Sequence, residues 1–269
     1  MKKVVLITGV SSGFGQAIAQ ELIKAGMIVY GSTRRPLNKI LDGLNIVEFD
    51  VTNFSQIQQS VKNIIEKEGR IDVLINNAGM GIAGAVELST EEEIDTQIKT
   101  NLYGVINMSK SVLPQMRKHR SGLIINISSI GGIFAIPYQG FYSVSKFAIE
   151  AYSEALSLET KQFGINTVII EPGDFNTGFT KNRKLSEQTL KDSDYSKSFK
   201  RVLNNIEKDE QNGGSPDYLA RKIKKIIECR RPRLRYVITP SVIQRLSIFA
   251  SKALPARAFQ AILRKFYDV

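Results

Sequence analysis

The 269-residue chain holds one cysteine, Cys229, so an intramolecular disulfide and a cysteine-based metal cluster are both excluded. A lone thiol of this kind is expected to be buried or indifferent. Histidine is equally scarce: the single His119 sits in the basic run Arg117-Lys118-His119-Arg120, which reads as a solvated helix end. Hydrolysis through a Ser-His-Asp triad is therefore not expected. Long apolar runs are missing as well, since Val4 to Ile7 and Gly122 to Ile127 are strand-length, far below the roughly 20 residues a membrane-spanning helix needs. Met1 leads through Lys2 and Lys3 into a strand-like run with no small-residue cleavage site, the pattern of a mature cytoplasmic start. Internal repeats and low-complexity segments are absent.

Charge is abundant but unevenly placed. Of the 37 Lys and Arg residues, 16 precede position 181 and 21 stand from Lys181 onward, while the 26 acidic residues divide 17 and 9. The first two thirds is thus near neutral and the tail carries the positive charge. Such asymmetry suits a solvated face, an acidic partner or an anionic membrane surface. No nucleic-acid recognition module or aromatic platform accompanies it, so nucleic-acid binding is not expected.

What is present is a regular alternation of β-branched runs and amphipathic stretches, the pattern of βαβ units in a parallel sheet. Strands are predicted at Val4 to Thr8, Ile28 to Ser32, Ile46 to Phe49, Val73 to Asn76, Leu123 to Ser128 and Asn166 to Glu171. Helices are predicted at Gly15 to Ala25, Ser55 to Glu68, Glu91 to Arg117 and Tyr142 to Phe163. The fold class is α/β: one doubly wound, Rossmann-like parallel sheet, a single domain over 1–269, with helices on both faces. Beyond Pro172-Gly173 the texture changes. Asp174 to Ser198 is polar and irregular, and residues 174–215 form a loop-and-helix insertion expected to bind substrate. Ser215 caps a helix that opens on Pro216 and runs to about Cys229, Leu234 to Thr239 reads as a last strand, and 240–269 form two amphipathic helices divided by Pro255.

Thr8-Gly9-Val10-Ser11-Ser12-Gly13-Phe14-Gly15 follows the first strand and opens the first helix. Glycine lets backbone approach a pyrophosphate, and the helix N-terminus behind it supplies unpaired N–H donors and the positive end of the dipole. The spacing is Gly-x-x-x-Gly-x-Gly rather than Gly-x-Gly-x-x-Gly. Tyr142 and Lys146 stand four apart on a predicted helix and so share a face.

Further landmarks arrive in order: Asn76-Asn77-Ala78-Gly79 closing a strand, Asn101 within the next helix, Ser128-Ser129 ending a strand, Tyr142-Ser143-Val144-Ser145-Lys146, and Pro172-Gly173. Together with the glycine spacing they resemble the short-chain dehydrogenase/reductase family. GSTRRP at 31–36, SPDYLARKI at 215–223 and RLRYVITP at 233–240 are similar to its hydroxysteroid and retinol dehydrogenase branch. The resemblance implies a nicotinamide-dependent enzyme. Tyr142 would move a proton to or from substrate oxygen, Lys146 would lower the phenol pKa and hold the nicotinamide ribose, Ser129 would orient the substrate oxygen, and Asn101 would anchor a relay water. Asp50 and Val51 would meet the adenine, Asn77, Ala78 and Gly79 the adenosine side, and Pro172, Gly173 and Thr177 the nicotinamide. No metal is needed, since hydride comes from the cofactor.

An acidic residue that would read NAD ribose is lacking between Glu21 and Asp42. The second strand instead ends Ser32-Thr33-Arg34-Arg35, where a guanidinium can pair with a 2′-phosphate, so the cofactor expected is NADP(H). Ser12 occupies the place where the family's second NADP signal, a basic residue, would stand. Ile133-Phe134-Ala135-Ile136-Pro137-Tyr138 and Met80-Gly81-Ile82-Ala83 predict an apolar pocket for a bulky ketone or alcohol, and the branch that the chain resembles implies a steroid- or retinoid-like one. The basic C-terminal helices leave three roles open: folding over the cleft, an oligomer interface in a homodimer or homotetramer, or peripheral membrane contact. A cofactor-sensing regulator without turnover is the alternative function, against which the full Ser129, Tyr142 and Lys146 set stands.

Overall fold

The computed structural model describes residues 2–36 and 41–269. Its strands are β1 (Val4–Thr8), β2 (Ile28–Thr33), β3 (Leu44–Glu48), β4 (Val73–Asn76), β5 (Ile82–Ala83), β6 (Gly122–Ile127), β7 (Ile165–Pro172), β8 (Lys184–Leu185) and β9 (Arg235–Ile238). The helices are α1 (Gly13–Lys24), α2 (Phe54–Glu68), α3 (Glu91–Ile98), α4 (Gly104–Lys118), α5 (Gly140–Thr160), α6 (Phe179–Asn182), α7 (Glu187–Lys191), α8 (Ser196–Gln211), α9 (Pro216–Glu228), α10 (Val242–Ala253) and α11 (Ala256–Tyr267).

Seven strands form one parallel sheet in the order β3-β2-β1-β4-β6-β7-β9. The chain winds one way from β1 to β3 and the other way from β4, which leaves a crevice at the C-terminal ends of β1 and β4. Both faces are covered. Val5 and Ile7 pack with α1 and α9 through Ile18, Leu22, Leu219 and Ile223, whereas Val4 and Leu6 turn to α2 and α4 through Ile57, Ile64, Met108 and Val112. A strand buried on both sides reads as a continuous apolar run, which is why β1 has no polar alternation. Each of these fully buried side chains contributes about 1.5–3 kcal/mol of transfer free energy.

Most predicted strands appear within two residues of their expected ends. β3 begins earlier than expected because Leu44 pairs with Val29 of β2. The predicted helix from Glu91 to Arg117 is interrupted: a π-turn at Lys99–Tyr103 separates α3 from α4. Asp174 to Ser198 is less irregular than its composition suggests. It holds α6, α7 and β8, and β8 pairs in parallel with β5 just after the Asn-Asn-Ala-Gly turn. Two residues are too few to show periodicity, so that small sheet had no signature. Ser215 caps α9 by accepting from the Asp217 amide at 3.2 Å, with Pro216 at the first helical position. Cys229 is exposed rather than buried, because α9 ends there. Among the described residues no helix is long and apolar enough to cross a membrane.

Candidate active site

A cleft of ≈ 590 Å³ runs along the C-terminal ends of the strands, and the predicted site residues line it except Gly15 and Asn101, which lie behind its wall. Gly9 and Gly13 take left-handed backbone conformations, φ +72° and +57°, that turn the chain sharply from β1 into α1. A Cβ on Gly15 would lie 2.1 Å from the Gly9 carbonyl and 2.6 Å from Asn77 Nδ2, so no side chain fits there. Ser12 is the N-cap of α1 but makes no side-chain cap, which leaves the first amides of the helix facing the cleft. The turn is braced from β4: Asn77 Nδ2 donates to the carbonyls of Thr8 and Gly9, both at 2.9 Å, and Thr8 Oγ1 accepts from the amides of Asn77 and Ala78. A rigid cradle with unfilled donors and no room for Cβ atoms fits the pyrophosphate of a dinucleotide.

At the adjoining end of β2, Thr33 donates to the Arg35 carbonyl at 2.8 Å, and Arg34 lines the cleft with no carboxylate paired to it among the described residues. Asp50 also lines the cleft, and its Oδ1 accepts from the Thr52 amide and hydroxyl, both at 2.8 Å. The carboxylate thus shapes its own turn while facing the space. Ser11, Phe14, Val51, Ala78, Gly79, Pro172, Gly173 and Thr177 border the same cleft. Thr177 folds back over the glycine turn, within van der Waals reach of Gly13.

The reacting end is built on β6 and α5. Tyr142 and Lys146 lie on one face of α5, both buried, with the Lys146 ammonium 5.6 Å from the phenol ring centre. Lys146 Nζ donates to the Ile127 carbonyl at 2.9 Å. Burial pushes the Tyr142 phenol up to about 12, partly offset by the neighbouring Ser129 hydroxyl. Burial pushes Lys146 down to about 8, against the pull of Glu150. Desolvation therefore raises the phenol, where a lowering by Lys146 was expected. Ser129 and not Ser128 stands at Tyr142, because successive residues leaving β6 point to opposite sides: Ser128 lies under Gly132 near the α5 backbone.

Asn101 sits in the π-turn and is buried. Its Oδ1 accepts from the Met80 amide at 2.9 Å, and its Nδ2 donates to the Met80 carbonyl and to Ser145 Oγ, both at 3.0 Å. Every side-chain group is engaged, tying the Asn-Asn-Ala-Gly loop to α5 beside Lys146.

The other half of the cleft contains residues that the sequence did not single out. Phe179 of α6 packs on Tyr142 with ring centres 5.6 Å apart. Ile206 of α8, Ile243 of α10, and Leu263, Phe266 and Tyr267 of α11 close the apolar side, so the C-terminal helices fold over the cleft. Three carboxylates join them. Glu210 pairs with Arg183 and accepts from Thr180 at 2.6 Å, and Asp174 accepts from the Gln244 side chain. Asp209 has no side-chain partner among the described residues. Asp174 is pushed up to about 7 by burial and by its two acidic neighbours. All three carboxylates raise the pKa of Tyr267, after burial, the larger cause. Asp209 and Glu210 fall on α8 and Asp174 just after Pro172-Gly173, within the insertion expected to bind substrate, but no motif marks them singly.

Residues 3–188 match the family description "short chain dehydrogenase". The chain is 52% identical over 267 residues to a 3-ketodihydrosphingosine reductase of Bacteroides thetaiotaomicron, covering 99% of this chain and 98% of that protein. It is 30% identical to an NADPH-dependent 3-dehydrocapnine reductase of Ornithobacterium rhinotracheale, over 87% of each. A crystal structure of a short-chain dehydrogenase from Streptomyces avermitilis superposes with a TM-score of 0.82 at 30% identity, covering 99% of this chain and 97% of that one. With a doubly wound parallel sheet, the glycine cradle and these relatives along its full length, the chain belongs to the short-chain dehydrogenase/reductase family of oxidoreductases.

Proposed function

We propose that the chain is an NADP(H)-dependent carbonyl reductase that converts the ketone of a long-chain amino ketone to an alcohol. The observation that carries this is the buried Tyr142 phenol, flanked by Ser129 and Lys146 where the cradle half of the cleft meets its apolar half. The glycine turn and Arg34 would hold NADPH, which when bound would supply the hydride. Ser129 Oγ hydrogen-bonds the substrate oxygen and holds it beside the phenol. Burial keeps Tyr142 protonated at neutral pH, the form that donates to the carbonyl oxygen as negative charge develops there. Lys146 Nζ would hold the ribose hydroxyls of the bound cofactor and return a proton to Tyr142. Asn101 positions the relay from within the π-turn. No feature of the site favours a sensor without turnover over an enzyme.

Two observations support an amino ketone. The 52%-identical relative is named for 3-ketodihydrosphingosine, a ketone beside an amine-bearing carbon on a long alkyl chain. In this chain Asp174, Asp209 and Glu210 line the same cleft, Asp174 and Glu210 close enough to Tyr142 to act on its phenol, and Asp209 beside them is unpaired among the described residues. A substrate ammonium gives that carboxylate a partner. A steroid- or retinoid-like substrate carries no cation for it, which moves the expected substrate from a ring system to a long-chain base.

NADPH oxidation followed with 3-ketodihydrosphingosine and with a long-chain ketone lacking the amine tests this. Wild type should favour the amine-bearing ketone by about tenfold or more in kcat/KM, the weight of one hydrogen bond to a charged group. Asp209→Asn should close that gap without changing the rate on the neutral ketone. Tyr142→Phe should remove turnover of both while NADPH affinity stays within a few-fold. Tight NADPH binding with no turnover of any ketone by wild type would favour the sensor, and equal kcat/KM for the two ketones would refute ammonium recognition.

A further inference from the structure

Among the described residues fifteen large apolar side chains stand exposed, and nine of them fall between Val237 and Val269. Val242, Leu246 and Phe249 recur at helical spacing along α10 and form one stripe, 67, 62 and 72% exposed. Single exposed apolar residues are ordinary, whereas a contiguous stripe marks a surface that meets something. Ile243 beside the stripe and Phe266 on α11 are exposed and also line the catalytic cleft, so the cleft opens on this face.

Phe249 is also a wall of a second groove, of ≈ 720 Å³, between α9, β9 and α10. The charged residues lining it are Lys222, Lys225, Arg245 and Lys252, with no carboxylate among them. Lys222 rests over the Tyr218 ring at 5.2 Å and Arg245 donates to the Thr239 carbonyl at 2.9 Å, contacts that place the charges without neutralising them. An apolar stripe bordering a groove lined by cations and no carboxylate matches one kind of ligand, an anionic head on an apolar tail.

We propose that this face docks on an anionic phospholipid bilayer, with the α10 stripe among the acyl chains and the groove's cations around lipid phosphates. A second copy of the chain fits this face less well. A two-fold contact through it would bring two sets of four cations together with no carboxylate between them. Docking would also give a long-chain substrate a path from the bilayer into the cleft past Ile243 and Phe266. Vesicle binding is measured on the cofactor-free chain without turnover, so it stands or falls separately from the proposed reaction.

The experiment is flotation of the full chain with vesicles of phosphatidylcholine alone and of equimolar phosphatidylcholine and phosphatidylglycerol, with light scattering on the protein alone. The expected result is binding to the anionic vesicles only, weakened by salt. Lys222→Glu with Lys225→Glu should weaken it by at least about fivefold per removed cation. Leu246→Asp with Phe249→Asp should abolish it with the thermal midpoint unchanged, and Leu158→Asp, at an exposed apolar position on α5, should leave it intact. Equal binding to neutral vesicles would overturn the role of the cations. No binding to either vesicle would overturn the proposal outright. A dimer of wild type that the α10 substitutions dissociate would assign the face to a contact between copies instead.

Discussion

In the proposed function Arg34 sets the cofactor preference, because among the described residues the end of β2 has no carboxylate to accept from ribose hydroxyls and one guanidinium without a carboxylate partner faces the cleft. Arg34→Ala should raise the dissociation constant for NADP(H) by about 10- to 100-fold, the loss expected for a hydrogen-bonded charge, and change NAD(H) little. Fluorescence titration with both cofactors measures it, and equal losses would show that Arg34 does not read the 2′-phosphate. Arg34 was legible in the sequence since a strand end and its charge are local properties. The protonation of Tyr142 was not. The four-residue spacing to Lys146 suggests a lowered phenol pKa, but burial by Phe179 and the loop around Gly131 pushes it up to about 12.

At the scale of elements, the π-turn between α3 and α4 is the joint of the site. A helix that widens at Lys99–Tyr103 turns Asn101 inward, and its side chain then links the loop after β4 to α5. Asn101→Ala would leave the Met80 amide and carbonyl and Ser145 without that partner. The Met80 carbonyl keeps Gln97 Nε2 and Ser145 keeps the Tyr142 carbonyl, so the Met80 amide alone is left unsatisfied and unfolding stability should fall by about 1–3 kcal/mol in a urea titration. The rate on any ketone should fall in the same variant while NADPH binding is kept. A stability change under about 0.5 kcal/mol, the range of ordinary surface substitutions, would show the joint to be dispensable. The sequence marks Asn101 as a helix-interior asparagine, yet the extra residue in the turn follows from the contact with Met80 and not from any local periodicity.

For the whole molecule, two carboxylates tie stability to pH. Burial pushes Glu171 and Asp174 up to about 7 from ordinary values near 4. Between those limits the folded chain holds protons that the unfolded chain has released, so stability from this source is greatest at acid pH and falls as pH rises through about 7. Each group sets a slope of at most about 1.4 kcal/mol per pH unit across that window. The thermal midpoint should therefore be higher near pH 5.5 than near pH 8, and Glu171→Gln with Asp174→Asn should flatten the difference; a midpoint that rises over this interval would contradict the assignment. The parallel sheet, the glycine cradle and the Ser129, Tyr142 and Lys146 set were determined by the sequence itself, because strand runs, turn glycines and helical spacing are short-range patterns. Only the tertiary structure decided that α8, α10 and α11 close the cleft, that Asp174, Asp209 and Glu210 gather in it, and that the α10 stripe stays outside. Amphipathic periodicity states that a helix has two faces, and long-range packing alone chooses what each face meets.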